Sequence, residues 1–242
     1  MAVKLCHMQQ QIKGVWIGVA LATLAWTVIG CSTTQKVAVE KTSLSSSGFL
    51  GDYSRLTPGG KDQASLRYIN SSVQWSQYNK VMLEPVTFWG GDTTKVSAAD
   101  QQMLCNYLYQ ALHEELGKKF QLVEGAGPGV MRLQAALTDA EAATPGLRTI
   151  SMVVPQARTL NTLKYAATGT YAFVGGAEAE AKLTDSVSGE ILGEWVDKRI
   201  GGGSLETAAQ WQWGDAENAM KAWATTAADK LSAWTSDAEK PS

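Results

Sequence analysis

The sequence predicts an α+β domain: a mainly antiparallel sheet with two principal helices packed on one face, preceded by a cleaved signal peptide and a flexible tether. Three observations predict it. Val130 to Thr138 alternates apolar and polar residues with the two-residue period of a half-buried strand. Two segments, from Ser97 to Gly117 and from Asp215 to Trp234, repeat apolar residues at helical spacing. Two β-rich runs, Thr170 to Thr184 and Glu190 to Ile200, flank Ser186-Val187-Ser188-Gly189, which reads as a type I hairpin turn with Gly in the left-handed position. Strand, helix, strand, hairpin and helix in that order place the helices on one side of a sheet.

The N-terminus has the layout of an export signal. Lys4 and Lys13 precede an apolar run from Gly14 to Gly30, and nothing acidic occurs before Glu40. The run has the length of a short membrane span, but it ends in Val28-Ile29-Gly30-Cys31. That segment resembles the lipobox of bacterial lipoproteins. The resemblance implies cleavage before Cys31, diacylglycerol on its thiol and acylation of its new amine, and several chains together hold a protein stably on a membrane. Ser32 rather than Asp follows the Cys, a pattern that goes with sorting to the outer membrane, facing the periplasm. Residues 1–30 are thus a signal peptide. Residues 31–47, polar and rich in Ser and Thr, read as the lipidated end and a linker, whose 16 residues after Cys31 would reach roughly 20 to 24 Å. Residues 48–235 form one domain and 236–242 a polar tail.

Within the domain, Val81 to Phe88 is a short apolar strand candidate in which Pro85 marks an edge or bend. Ser97 caps the first helix, with Asp100 three residues on, and Leu104, Leu108, Ala111, Leu112 and Leu116 form its apolar stripe before Gly117. Gly125 to Gly129 is a turn, and the alternating strand follows. If Ser186 pairs with Glu190, Lys182 falls opposite Glu194 and Glu178 opposite Lys198, so opposite charges meet on one side of the hairpin. Ala177, Ala179, Ala181 and Leu183 share the other side with Trp195, a shallow floor for the last helix with its Ala219, Met220, Trp223, Ala227, Leu231 and Trp234.

Composition narrows the function classes. Loss of Lys4 and Lys13 leaves 19 basic against 23 acidic side chains, without the basic cluster that nucleic-acid binding needs. Cys6 leaves with the signal and Cys31 carries lipid, so Cys105 has no intramolecular partner and reads as a small buried hydrophobe. His113 is the one His left, on the exposed end of the first helix, and no metal or cofactor motif occurs. Asp139 and Glu141 at a strand end are a carboxylate pair of the kind that could cleave a glycan, though such neighbours are more often solvated. Seven of nine Trp survive cleavage; periodicity buries Trp195 and Trp223, whereas Trp75, Trp89, Trp211 and Trp213 are candidates for a surface patch.

Gly48-Phe49-Leu50-Gly51-Asp52-Tyr53-Ser54-Arg55-Leu56, Leu83-Glu84-Pro85-Val86, Ala136-Leu137-Thr138-Asp139-Ala140-Glu141-Ala142 and Asp185-Ser186-Val187-Ser188-Gly189-Glu190 resemble, in that order, the bacterial lipoproteins grouped as domain of unknown function 3313. The resemblance implies a lipid-anchored envelope protein and carries no catalytic residues. The expectation is a non-enzymatic lipoprotein that binds an envelope protein or cell-wall partner, in a binding or assembly role at the outer membrane. The alternatives are a peptidoglycan or polysaccharide-binding module using the Trp residues, and a glycan hydrolase using Asp139 and Glu141.

Overall fold

In the computed structural model the chain runs β1 (Thr34–Val37), β2 (Thr57–Pro58), β3 (Leu66–Ile69), a 3-10 turn (Trp75–Gln77), β4 (Lys80–Leu83), β5 (Thr87–Phe88), α1 (Ala98–Gly117), β6 (Gln121–Leu122), β7 (Val130–Glu141), α2 (Pro155–Thr168), β8 (Gly176–Asp185), β9 (Ile191–Gly201) and α3 (Gly214–Thr235). The structure describes residues 34–39, 47–92, 94–145, 147, 153–168, 172–202 and 211–239, and Cys31–Ser242 is one compact unit by itself. The expected signal peptide and the expected lipid site at Cys31 lie outside the described residues.

The centre of the sheet is the antiparallel trio β7, β8 and β9, where Lys182 faces Glu194 and Glu178 faces Lys198; the turn differs from the expected pairing, because Asp185 and not Ser186 meets Glu190, and a register shift between Leu183 and Thr184 restores the facing charges. Gly189 closes the turn at φ 73°, and Asp185 Oδ1 accepts the Val187 and Ser188 N–H groups. The edges differ from the expected pattern. β4 and β5 both run parallel to β7, and β6 runs parallel to β4, so the sheet is mixed. The cause is the connection: α1 sits between β5 and β6 and returns the chain to the same end of the sheet, as a crossover helix must. Pro85 breaks the run from Val81 to Phe88 into β4 and β5, which lie end to end along the outer edge of β7.

α1 and α3 pack on one face. Ser97 Oγ accepts the Asp100 N–H at 3.2 Å and its hydroxyl meets the Asp100 carboxylate at 2.7 Å, which fixes the start of α1. Leu104, Cys105, Leu108, Leu112 and Leu116 then point inward with Met220, Ala224, Ala228, Leu231 and Trp234 of α3. Ala179 and Ala181 let α3 approach the sheet, yet a largely apolar cavity of about 160 Å³ remains between them, lined by Leu112, Ala181, Trp195, Trp223 and Leu231.

The opposite face is covered by the segment before β3. Leu50, Leu56, Leu66 and Val196 make a second, smaller core there, with Phe49, Tyr53 and Tyr68 around it. This face also corrects the tether. Thr34–Val37 is a strand, paired along the outer edge of β9 from Thr34 opposite Gly201 to Val37 opposite Lys198. Ser65 Oγ donates to the Val37 carbonyl and Lys36 Nζ to that of Gly60, so backbone and side chains both hold the segment. Polar composition suggested a linker. An edge strand is equally polar where one side meets water.

Candidate functional site

A bulge in β7 builds the site. The register between β7 and β8 shifts between Leu137, opposite Ala179, and Asp139, opposite Glu178, with Thr138 as the extra residue. Alternation alone would send Asp139 toward the helices. The bulge re-aims it and Glu141 onto the face that carries Glu178 and Lys198, while Ala140 turns back into the core.

Lys198 is the hub of that cluster. Its ammonium lies 3.2 Å from Asp139, 3.8 Å from Glu141 and 3.8 Å from Glu178. Burial pulls the lysine pKa down, but Asp139, Glu178 and Glu141 together hold it above its ordinary value. For Glu178 burial wins in the other direction: desolvation raises its carboxyl although Lys198 opposes it, and the nearby Asp139 charge adds to the rise.

Glu180, two residues along the same strand face, has no exposed surface. Ser47 Oγ donates to its Oε1 at 2.5 Å and Tyr53 Oη to its Oε2 at 2.7 Å. Desolvation raises its pKa, and these two hydroxyls offset part of the rise.

These carboxylates form one wall of a polar cleft of about 1100 Å³. The cleft is also lined by Trp89 to Asp92 and Thr94 to Val96 ahead of α1, and by Trp213. Trp89 is 43% exposed, donates its indole N–H to Thr87 and stands edge-on to Phe49 at 5.7 Å between ring centres.

The four Trp proposed from sequence therefore divide. Trp89 and Trp211 are exposed, Trp211 at 47% with its indole N–H on Glu217. Trp75, at 5%, packs on the Trp234 ring 5.1 Å away, and Trp213, at 3%, donates to Asp100, so both are core residues and a four-Trp surface patch does not form. Each loses its exposure to a partner far off in sequence. Asp139 and Glu141 do come together, on the cleft wall. Sequence reasoning missed Glu180 and Ser47 as members, although the hairpin register already placed Glu178 beside Lys198. His113 is exposed on α1, near Tyr109. Among the described residues there is no group of three or more His, Cys, Asp or Glu arranged to hold a metal, and no helix long and apolar enough to cross a membrane.

The family described as "Protein of unknown function (DUF3313)" matches residues 45–227, from the segment that covers Glu180 to the middle of α3. The chain belongs to this family. Two curated relatives, the uncharacterized lipoproteins YdcL of Escherichia coli K12 and O157:H7, are each 27% identical over 111 residues, 44% of this chain and 50% of theirs. The chain thus spans about half the length of the curated relatives it matches. Two solved PelC dodecamers from Paraburkholderia phytofirmans, one in space group P6 and one an L103M form in C2, align at 10% and 8% identity. Their TM-scores are 0.36 and 0.34, and the alignments cover 66% of this chain and 94% and 92% of theirs.

The four blocks that carry the DUF3313 resemblance all have structural work here. The first supplies Tyr53 to Glu180 and Arg55 to Glu194, across 3.0 Å. In the second, Glu84 pairs with Arg132. The third is the bulge with Asp139 and Glu141, and the fourth is the turn, whose Asp185 also accepts a hydrogen bond from Tyr78 Oη.

Proposed function

We propose that this protein is a lipoprotein of the outer membrane, acylated at Cys31 and facing the periplasm, whose domain binds a partner and performs no chemistry. The observation that carries the binding reading is the shared ammonium: Asp139, Glu141 and Glu178 all turn to Lys198. Acid and base catalysis of glycan cleavage needs two carboxyl groups kept apart in environment, one protonated and one ionised. Asp139 and Glu141 instead share one cation on one wall, which leaves an acidic, preformed surface suited to docking. Exposed Trp89 at the rim of the same cleft favours a second reading, a polysaccharide partner stacked on the indole.

The test is a photo-cross-linking amino acid placed at Trp89 or Asp92 of the full chain in intact cells. A discrete protein adduct that Lys198→Glu removes supports the first reading. Retention of the mature protein on purified sacculi, lost in Trp89→Ala, supports the second. Cell-wall hydrolysis that disappears in Glu141→Gln overturns both. Lipidation is read separately, by mass spectrometry of the mature N-terminus: Cys31→Ser protein that keeps the same lipid mass overturns it.

A further inference from the structure

The chain between β7 and β8 stands apart from the rest of the molecule in charge and, among its described residues, in exposed apolar side chains. Residues 142–177 contain Arg148, Arg158 and Lys164 and no Asp or Glu, whereas the rest of the chain after residue 30 carries 16 basic and 23 acidic side chains. Most of the large apolar side chains that the described residues leave in solvent are here too: Leu147, Val153, Val154, Leu160, Leu163 and Phe173. Leu160 and Leu163, one turn apart on α2, are 68% and 60% exposed, beside the exposed Lys164. A helix that shows leucines and lysine to water, in an excursion stripped of negative charge, has the chemistry of an element lying in the interface of an anionic bilayer.

Strand register says where that bilayer would be. Both ends of the excursion leave the sheet at one place, since Glu141 at the end of β7 pairs with Gly176 at the start of β8. Gly176 in turn faces Ile200, and the next residue of β9, Gly201, faces Thr34 at the start of β1. Cys31 is three residues before Thr34, within about 10 Å of chain. The N-terminus that would carry the lipid and the apolar excursion therefore emerge from the same end of the same sheet. A second copy packed face to face on this segment would also cover the leucines, but it would set the same cationic stretch against itself.

We propose that the β7–β8 excursion, through Leu160, Leu163 and Phe173, docks on the anionic phospholipid leaflet in which the Cys31 lipid is anchored. This rests on the lipoprotein reading for its geometry, but the docking itself is measurable without the lipid. The chain from Ser32 to Ser242, made without acyl groups, is mixed with vesicles of phosphatidylethanolamine and phosphatidylglycerol, or of phosphatidylcholine alone, and floated. Binding to the anionic vesicles is expected, falling with added salt as surface attraction is screened. Leu160→Ser with Leu163→Ser should weaken it about tenfold or more, and Lys164→Glu should weaken binding at low salt and reduce its salt sensitivity; near-ultraviolet circular dichroism checks that these exposed positions leave the fold intact. No binding to anionic vesicles, or equal binding by the double variant, overturns the proposal. So does vesicle-free self-association in sedimentation that the double variant abolishes, which would assign the face to a second copy. Absence of lipid on Cys31 of the native chain would strike the anchor alone and leave the vesicle result standing.

Discussion

Arg55 Nε lies 3.0 Å from Oε2 of Glu194, a carboxylate with no exposed surface. Neither Arg55 Nε nor the Glu194 carboxylate oxygens make an aligned hydrogen bond, so the contact is an ion pair. It fastens the covering segment to β9 and sits beside the Arg55 guanidinium stacked 5.5 Å from the Tyr68 ring centre. Removing one member of such a pair strands the other.

Arg55→Ala should therefore lower unfolding stability by about 3 kcal/mol, the lower end for a broken buried pair because Arg55 is itself partly exposed. Glu194→Gln added to it should recover part of the loss, since the stranded charge is gone. Urea midpoints of the two variants and the parent measure the difference; equal midpoints for Arg55→Ala and the parent contradict the ion-pair account.

Three glutamates, Glu180 and Glu194 fully buried and Glu178 largely so, set an uncommon pH response. Desolvation raises Glu178, Glu180 and Glu194 above the ordinary 4.5. The folded protein then binds more protons than the unfolded chain at pH values above 4.5, so stability falls as pH rises through the folded values. The contribution is fully present below 4.5 and lost above the raised values. Melting temperature should decline from mildly acidic pH toward neutrality, and Glu180→Gln should flatten the slope; Asp185, held low chiefly by the Ser188 N–H, acts in the opposite sense at lower pH.

The cavity behind α3 offers a gain. Ala181→Val adds two methyl groups facing that space from a strand, where a β-branched side chain is at ease. At about 0.8 kcal/mol per buried carbon, the variant should gain up to roughly 1.6 kcal/mol. A fall in the thermal midpoint would mean that Trp195 and Trp223 already fill the room.

Cys105 should report on global opening. Burial pushes its thiol up to about 11, and it lies in the seam between α1 and α3. In the acyl-free chain it is the single thiol, so a disulfide reagent should react far more slowly in buffer than in denaturant. Rapid reaction in buffer would show that α1 separates locally from the core.

Much of this fold was legible because it rests on local periodicity. The facing charges of β8 and β9 followed from hairpin spacing, although the turn pairs one residue away from the expected place, α1 followed from Ser97 and its stripe, and α3 from its apolar spacing. α2 (Pro155–Thr168) makes a third helix where two were expected, and three further things were hidden by pairing at long range. Thr34–Val37 has the composition of a linker and is a strand only because β9 offers it an unpaired edge. The parallel placement of β4 depends on which way α1 returns, which no window of residues records. The site was half visible: Asp139 and Glu141 were singled out, but the bulge at Thr138 decides their direction, and Glu180 is buried by Ser47 and Tyr53 from more than a hundred residues away.

β1 changes how force would travel through the molecule. If Cys31 is acylated as proposed, it is a handle three residues before Thr34. A pull on it would run along β1, whose hydrogen bonds to β9 from Gly201 to Lys198 lie across the direction of pull. They would bear it together in shear, not open one by one. The segment that looked like slack rope is a seam, and drag on a bound envelope partner would be carried from the lipid directly into the middle of the sheet.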